Sequence, residues 1–311
     1  MWRMRMRCYD RILYGATGPG TDRHRALFAI DFARRLGAPL TILCDDALRR
    51  DMEQACEADA RRAEAPAWRG KGHDTGCGAG HDVIVTDGAD TLSRLSAQRP
   101  GQHDLTIVDH HANLFANPIQ TKTFMNFVHG AQGDVLVLKQ GTNSLRNIVA
   151  AIGCDDVIDS PSDRSLNEAI LEAAYGIATR HSATLHVVHA WDVFARMKIT
   201  SKSGVARKEA NTHAAHEYSR HGGHLHNALA RLSAIMERDG DAPVTVRSHL
   251  PRGVVPASIM GTAEGCSADL TIVGMHDHGV LQRLLFKSTA EHILRGSGHS
   301  TLVVRRKTAR P

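Results

Sequence analysis

Short apolar runs of four to six residues recur along the chain, separated by longer segments in which apolar residues return every three or four positions. Runs of the first kind are typical of buried strands in a parallel sheet, and the longer spacing is typical of the helices that cover such a sheet. The pattern predicts ten strands, near residues 12–16, 40–44, 82–86, 105–109, 135–138, 148–152, 184–189, 244–249, 270–274 and 301–305.

An internal repeat divides these strands into two sets of five. The string DLTIV occurs at residues 104–108 and again at 269–273, and the strand-like runs on either side of it recur in the same order. A repeated order of elements indicates a duplicated domain. The predicted fold class is therefore α/β, with two tandem Rossmann-like doubly wound domains, each a five-stranded parallel sheet flanked by helices. A polar, glycine-containing linker places the domains at residues 1–140 and 144–311.

Two segments interrupt this pattern. Residues 66–82 are rich in glycine and predict an exposed loop, whereas residues 194–223 form an insertion rich in His, Arg and Lys. The latter part of this insertion predicts an exposed helix.

An open doubly wound sheet binds ligands at the carboxyl ends of its strands. One segment begins at such a strand end and covers residues 273–304, VGMHDHGVLQRLLFKSTAEHILRGSGHSTLVV. Together with the five-strand order and the duplication, it resembles the universal stress protein family, whose members have a Rossmann-like domain and often bind ATP. The stretches that begin at His103 and Leu166 are similar to the tandem-domain subgroup typified by universal stress protein E. The resemblance implies a stress-response binding or regulatory module whose two domains pair as a pseudo-dimer, and it leaves further dimerisation open.

The family's nucleotide signature is a Gly, two residues, a second Gly, nine residues, a third Gly, then Ser or Thr. Small residues there let backbone amides approach phosphates at a helix N-terminus. In the second half Gly274 and Ser288 match, whereas Asp277 and Lys287 replace the other two glycines. The first half has none of the glycines and carries Asp109, Ala112, Lys122 and Thr123 at the four positions. The resemblance thus implies a degenerate ATP site, in the second domain.

The expected ligand is a nucleotide or a small phosphorylated metabolite. Lys122 and Lys287 occupy equivalent positions, each expected to open a helix; each either holds a phosphate or acidic ligand or extends into water. The candidate binding residues are Gly253, Gly274, His276, Lys287, Ser288 and Thr289 in the second half and Lys122 and Thr123 in the first.

Two alternatives stay open. One is a slow ATP hydrolase or nucleotide-dependent enzyme that uses the same cleft, although no catalytic residue is assigned and no GxSxG, GxxxxGK[ST] or GxGxxG motif occurs.

The other alternative is a metal-binding stress protein, because the chain has 20 histidines. His213, His216 and Glu217 form the best helical ligand set. A zinc site needs three or four fixed ligands, so no metal is expected.

The composition of the chain argues against two classes of binding partner. The net charge is +5, but much of the excess lies in the two tails, and only 5% of residues are aromatic, so nucleic acid is not an expected partner. No apolar run reaches the ~20 residues that cross a bilayer, so no membrane partner is expected. Six cysteines without a CxxC pair predict reduced thiols, and a cytoplasmic location is expected.

Overall fold

Two compact units make up the described part of the computed structural model. It describes residues 9–16, 23–45, 48–63, 81–86, 95, 102–109, 115, 117–139, 141–153, 161–192, 207–240, 243–276 and 288–305. Within these ranges, residues 9–144 and 298–302 form the first unit, and residues 145–297 and 303–305 form the second.

The first unit is a parallel sheet with helices between its strands. Its strands lie in the order β3-β2-β1-β4-β5, so the order reverses between β1 and β4. The elements are β1 (Ile12–Gly15), α1 (Arg23–Leu36), β2 (Leu40–Asp45), α2 (Arg49–Ala63), β3 (His81–Thr86), β4 (Leu105–Asp109), α3 (Pro118–Gly130) and β5 (Asp134–Leu138).

The second unit repeats this topology. β6 is parallel to both β7 and β9, β8 pairs with β7, and β10 lies beside β9, so the order reverses between β6 and β9. The elements are β6 (Asn147–Ala151), α4 (Pro161–His181), β7 (Thr184–Val188), α5 (Arg207–Asp239), β8 (Val246–His249), α6 (Val255–Gly265), β9 (Leu270–Met275), α7 (Thr289–Gly296) and β10 (Ser300–Arg305). The first three residues of β10 belong to the first unit and the last three to the second.

The predicted α/β class with parallel strands is confirmed, and each of the ten predicted strands agrees with an observed one to within two residues. The strands could be predicted because they are buried. The central strands are covered on both faces, and every residue of β1, β5 and β10 is buried, which requires the continuous apolar runs seen in the sequence. Most of the predicted 66–82 loop lies outside the described residues, and its last two residues belong to β3.

The helix predicted in the latter part of residues 194–223 is confirmed, but it is longer than predicted and one face of it is buried. α5 continues past the adjacent Gly222 and Gly223 to Asp239 and packs against α4. Glu217 and His221 are buried on it. They continue a stripe whose apolar members are Leu225, Ala228, Leu232 and Ile235, at spacings of three and four residues.

Buried tyrosine–aspartate pairs join strands within the first unit. The Tyr14 hydroxyl of β1 donates to Asp109 Oδ2 at the end of β4, over 2.9 Å. The Tyr9 hydroxyl donates to Asp134 Oδ2 at the start of β5, over 2.8 Å. Both carboxylates are buried, so these bonds offset part of the cost of removing the carboxylates from water.

We expect Tyr14→Phe to lower the free energy of unfolding by about 1–3 kcal/mol, because it leaves the buried Asp109 carboxylate without that donor. Tyr218→Phe is the matched control, since Tyr218 is exposed and its substitution should change stability by less than about 0.5 kcal/mol. Urea unfolding followed by circular dichroism measures both. Equal losses in the two variants would contradict the assigned role of the Tyr14 hydroxyl.

Candidate ligand site

The carboxyl ends of β6 and β9 lie side by side where the strand order of the second unit reverses. Ligands of open α/β sheets bind at this place. Gly153 follows β6 and His276 follows β9, so the backbone of one and the side chain of the other mark the described part of the site.

His276 is held by a buried carboxylate. Its Nε2 lies 3.0 Å from Asp163 Oδ1, in the first turn of α4. The Asp163 side chain is 6% exposed and that of His276 is 35% exposed, so the pair has a buried side and a side that faces solvent. In a neutral ring, an Nε2–H that donates to Asp163 leaves Nδ1 as the acceptor. This is the arrangement of an imidazole oriented to accept a proton.

Asn167 fixes the backbone where the chain leaves β6. Its Nδ2 donates to the Gly153 carbonyl over 2.6 Å, and its Oδ1 accepts from the Gly153 amide over 3.0 Å. The two bonds satisfy both backbone groups of Gly153, which no strand partner reaches at that point. Sequence analysis missed Asp163 and Asn167, although both lie at the start of a helix that opens at the candidate site.

Gly274 is required by the packing of α4. A Cβ at this position would lie 2.7 Å from Leu166 Cδ2 and 2.9 Å from Ile170 Cδ1, closer than side chains approach each other. The predicted site residue Gly274 therefore contacts a helix in the described structure. The absence of a side chain there lets α4 approach β9 closely enough for Asp163 to meet His276.

Ser288 caps α7. Its Oγ accepts a hydrogen bond from the Glu291 amide over 3.2 Å, and Thr289 is the exposed first residue of the helix. A serine at this position satisfies one of the unpaired amides at a helix N-terminus. Lys287 and Asp277 lie outside the described residues.

Gly253 follows β8 and has a backbone φ of +148°, a conformation that side chains other than glycine rarely adopt. Its amide donates to the Trp191 carbonyl over 2.9 Å. This conformation and this bond account for the glycine.

Lys122 does not open a helix, contrary to the sequence prediction. α3 begins four residues earlier at Pro118, and Asn117 Oδ1 accepts from the amides of Ile119 and Gln120. Proline is favoured at the first position of a helix, where its missing N–H costs nothing. Lys122 is therefore an exposed residue in the second turn, and Thr123 Oγ1 donates back to the Ile119 carbonyl over 3.1 Å.

At the corresponding edge of the first unit, the described residues Gly15, Leu95 and Asp109 are buried. A Cβ on Gly15, at the end of β1, would lie 2.5 Å from Leu95 Cδ1, so this leucine covers the end of the strand. The neighbouring strand ends with Asp109, whose buried carboxylate accepts from Tyr14. The two units thus share a topology and differ, among the described residues, at equivalent strand positions, where the first has Asp109 and the second has Gly274.

Two of the three candidate metal ligands, His216 and Glu217, differ in their surroundings. His216 is exposed, whereas Glu217 is buried and accepts from Arg220 Nη2 over 2.7 Å. The side chain of His213 lies outside the described part of the chain. Among the described residues, no group of three His, Cys, Asp or Glu side chains is placed to hold a metal ion. Nor is any described helix long and apolar enough to cross a membrane.

We expect Gly274→Ala to lower the free energy of unfolding by about 1–3 kcal/mol, because its methyl group would push α4 away from β9. Gly261→Ala is the matched control. Gly261 lies inside α6 with nothing within 4 Å of an added Cβ, so alanine there should raise stability by about 0.5–1 kcal/mol. Urea unfolding of both variants tests the difference in sign, and a stabilising Gly274→Ala would refute the close packing.

Solved structures similar to this chain match it over almost its full length. A protein of unknown function from Pseudomonas aeruginosa PAO1 is 20% identical over 96% of this chain and 93% of its own, with a TM-score of 0.58. A universal stress protein from Archaeoglobus fulgidus DSM 4304 is 14% identical over 96% and 97%, with a TM-score of 0.54. The cytoplasmic domain of a prokaryotic cation chloride cotransporter is 14% identical over 94% of each chain, with a TM-score of 0.52. At these identities the matches show the fold alone.

No curated protein matches the chain. The model of the universal stress protein family matches residues 146–305, just over half of the chain and almost all of the described second unit. The chain therefore belongs to the universal stress protein family.

Proposed function

We propose that this chain is a tandem universal stress protein, with domains at residues 1–140 and 144–311, that acts in the cytoplasm as a stress-response binding or regulatory module. It carries a degenerate nucleotide site in the second domain. The observation that carries the proposal is the contrast between the two sheet edges. In the second unit His276 is 35% exposed and is held by Asp163 beside the end of β6, whereas in the first unit Asp109, which ends β4, is buried and accepts from Tyr14.

The proposed ligand is a nucleotide or a small phosphorylated metabolite. α7 opens at the carboxyl edge of the sheet, and the dipole of a helix favours an anion at this end. Ser288 and Thr289 supply hydroxyl groups there. Because the glycines of the family signature are replaced at Asp277 and Lys287, fewer backbone amides approach the phosphates, and an aspartate repels them. We therefore expect weaker binding of ATP than the full signature would give.

Calorimetric titration of the purified protein with ATP and magnesium tests the proposal, after native mass spectrometry has identified any ligand that copurifies. Ser288→Ala should weaken binding about threefold to tenfold, since it removes both a hydroxyl and the helix cap. Arg295→Ala is the control on the same helix, because Arg295 is exposed in the last turn, at the opposite end from Ser288, and its substitution should leave the affinity unchanged. A parent protein that carries no nucleotide or phosphorylated metabolite and takes up no ATP would overturn the proposal.

A second candidate function is slow hydrolysis of the bound nucleotide, favoured by the His276–Asp163 pair. In this role His276 accepts a proton from the attacking water, and Asp163 stabilises the imidazolium that forms. Both residues contribute through the 3.0 Å bond between them.

Phosphate release from ATP separates the two candidates. His276→Gln should reduce release at least tenfold while ATP still binds, since general-base catalysis contributes about 10²–10⁴-fold. Asp163→Asn should reduce it less, because the amide oxygen still accepts from the ring but carries no charge. Release that is equal in the parent and in His276→Gln would remove hydrolysis by this pair and leave the binding function standing.

A further inference from the structure

A buried chain of hydrogen bonds connects α5 to the end of β6, away from the His276 side chain. His189 Nδ1 lies 3.3 Å from the Ile152 carbonyl, and His189 Nε2 lies 2.9 Å from His221 Nδ1. His221 Nε2 lies 3.5 Å from Arg220 Nη2. His189 and His221 are each more than nine-tenths buried. Two imidazoles that bond directly in the interior can exist together in few protonation states.

The groups at the two ends of this hydrogen-bond chain determine which ring nitrogens carry a hydrogen. The Ile152 carbonyl can only accept, so His189 carries its hydrogen on Nδ1 and, when neutral, accepts at Nε2. His221 must then donate from Nδ1 and accept at Nε2, where the Arg220 guanidinium donates. The neutral form of both rings therefore satisfies every bond in the chain, in one direction from Arg220 to Ile152.

Glu217 lies between the two groups on α5 that compete for it. Its Oε2 is 2.7 Å from Arg220 Nη2 and 3.6 Å from His221 Nε2. A proton added to His221 Nε2 turns this atom from an acceptor into a donor, which repels the guanidinium and attracts the carboxylate. Glu217 then exchanges Arg220 for His221.

Other charged and titratable groups also face the pair. The His224 ring lies 6.3 Å from both His189 and His221, between ring centroids. The Trp191 ring stacks on His221 at 5.2 Å, and the Arg252 guanidinium lies 5.8 Å from the Trp191 ring. Arg220, His224 and Arg252 all disfavour a second positive charge here.

We propose that these groups form an acid-sensitive latch that holds α5 on the sheet. We define the latch as Glu217, Arg220, His221, His189 and the Ile152 carbonyl. A first proton on His221 transfers Glu217 from Arg220 to His221. A second proton, on His189, would place two N–H groups face to face and frees this stretch of α5 from the ends of β6 and β7. The latch does not depend on the proposed ligand site.

The charge state of His189 sets the direction of the effect. The pKa of His189 is lowered from 6.5 to about 4, chiefly by burial; the bond to Ile152 opposes this shift, and the charges of His221, His224 and Arg220 add to it. The unfolded chain takes up this proton near pH 6.5, whereas the folded chain does so near pH 4. The stabilisation by neutral His189 is therefore complete above pH 6.5 and is lost as the pH falls from 6.5 to 4.

Trp191 is a reporter placed on the latch. Of the three tryptophans, Trp2 and Trp68 can be replaced by phenylalanine, which leaves Trp191 as the one emitter. A protonated imidazole stacked on indole quenches its fluorescence. We expect emission to fall in a first step as the pH is lowered, with unchanged far-ultraviolet circular dichroism, and to change again near pH 4 when α5 is released. EDTA is present throughout.

Variants of two latch residues assign the steps. Glu217→Gln, which keeps shape and can still accept from Arg220, should move the first midpoint down by about one pH unit, because the charge that stabilises the His221 imidazolium is gone. His221→Phe, which keeps an aromatic ring on Trp191, should abolish the first step. His226→Phe is the control, since His226 is exposed on the same helix and should change neither step.

The latch is overturned if the first step survives in His221→Phe, or if Glu217→Gln leaves the midpoint in place or raises it. Should His221→Phe fail to fold, Glu217→Gln decides alone, because it is isosteric. A first step that moves when zinc replaces EDTA would also overturn the latch, since the two imidazoles would then be metal ligands.

Discussion

The close approach of α4 to β9 is the contact on which the second unit depends. Gly274 has no side chain, so Leu166 and Ile170 reach the strand itself. This seats the first two turns of α4 over the ends of β6 and β9, where Asp163 reaches His276 and Asn167 reaches Gly153. One missing methyl group therefore positions the polar contacts described at this edge. In the family signature the same glycine is assigned to phosphate binding, and here its contact is with a helix.

The two units show how one sheet topology can carry different residues at the ends of its strands. Strand order and register depend on apolar runs that both halves keep, whereas the residue at the end of β4 or β9 is free to diverge. In the first half Asp109 at this position is bonded by Tyr14, and Leu95 covers Gly15. In the second half Gly274 admits α4.

The sequence predicted the ten strands and the α/β class because a buried parallel strand must be apolar along its whole length. It identified His276 as a candidate binding residue, but not its partner Asp163, since the two are 113 positions apart and meet only through the packing of α4 on β9. The start of α3 could have been predicted from the sequence, because Asn117 and Pro118 form a common pair at a helix N-terminus. The burial of Glu217 and His221 could not have been predicted, since polar residues at helical spacing are equally typical of a helix face exposed to solvent.

The two adjacent glycines of α5 form a locally less stable point between two parts of this helix. Gly222 and Gly223 directly follow His221, and each costs a helix about 1 kcal/mol relative to alanine. Beyond them the apolar residues Leu225, Leu232 and Ile235 are buried, whereas ahead of them Glu217 and His221 are buried polar groups. The helix thus has a weak joint between a segment fastened by apolar contact and a segment fastened by polar bonds. A loss of the polar bonds can unwind one segment as a separate cooperative unit while the other keeps the domain folded.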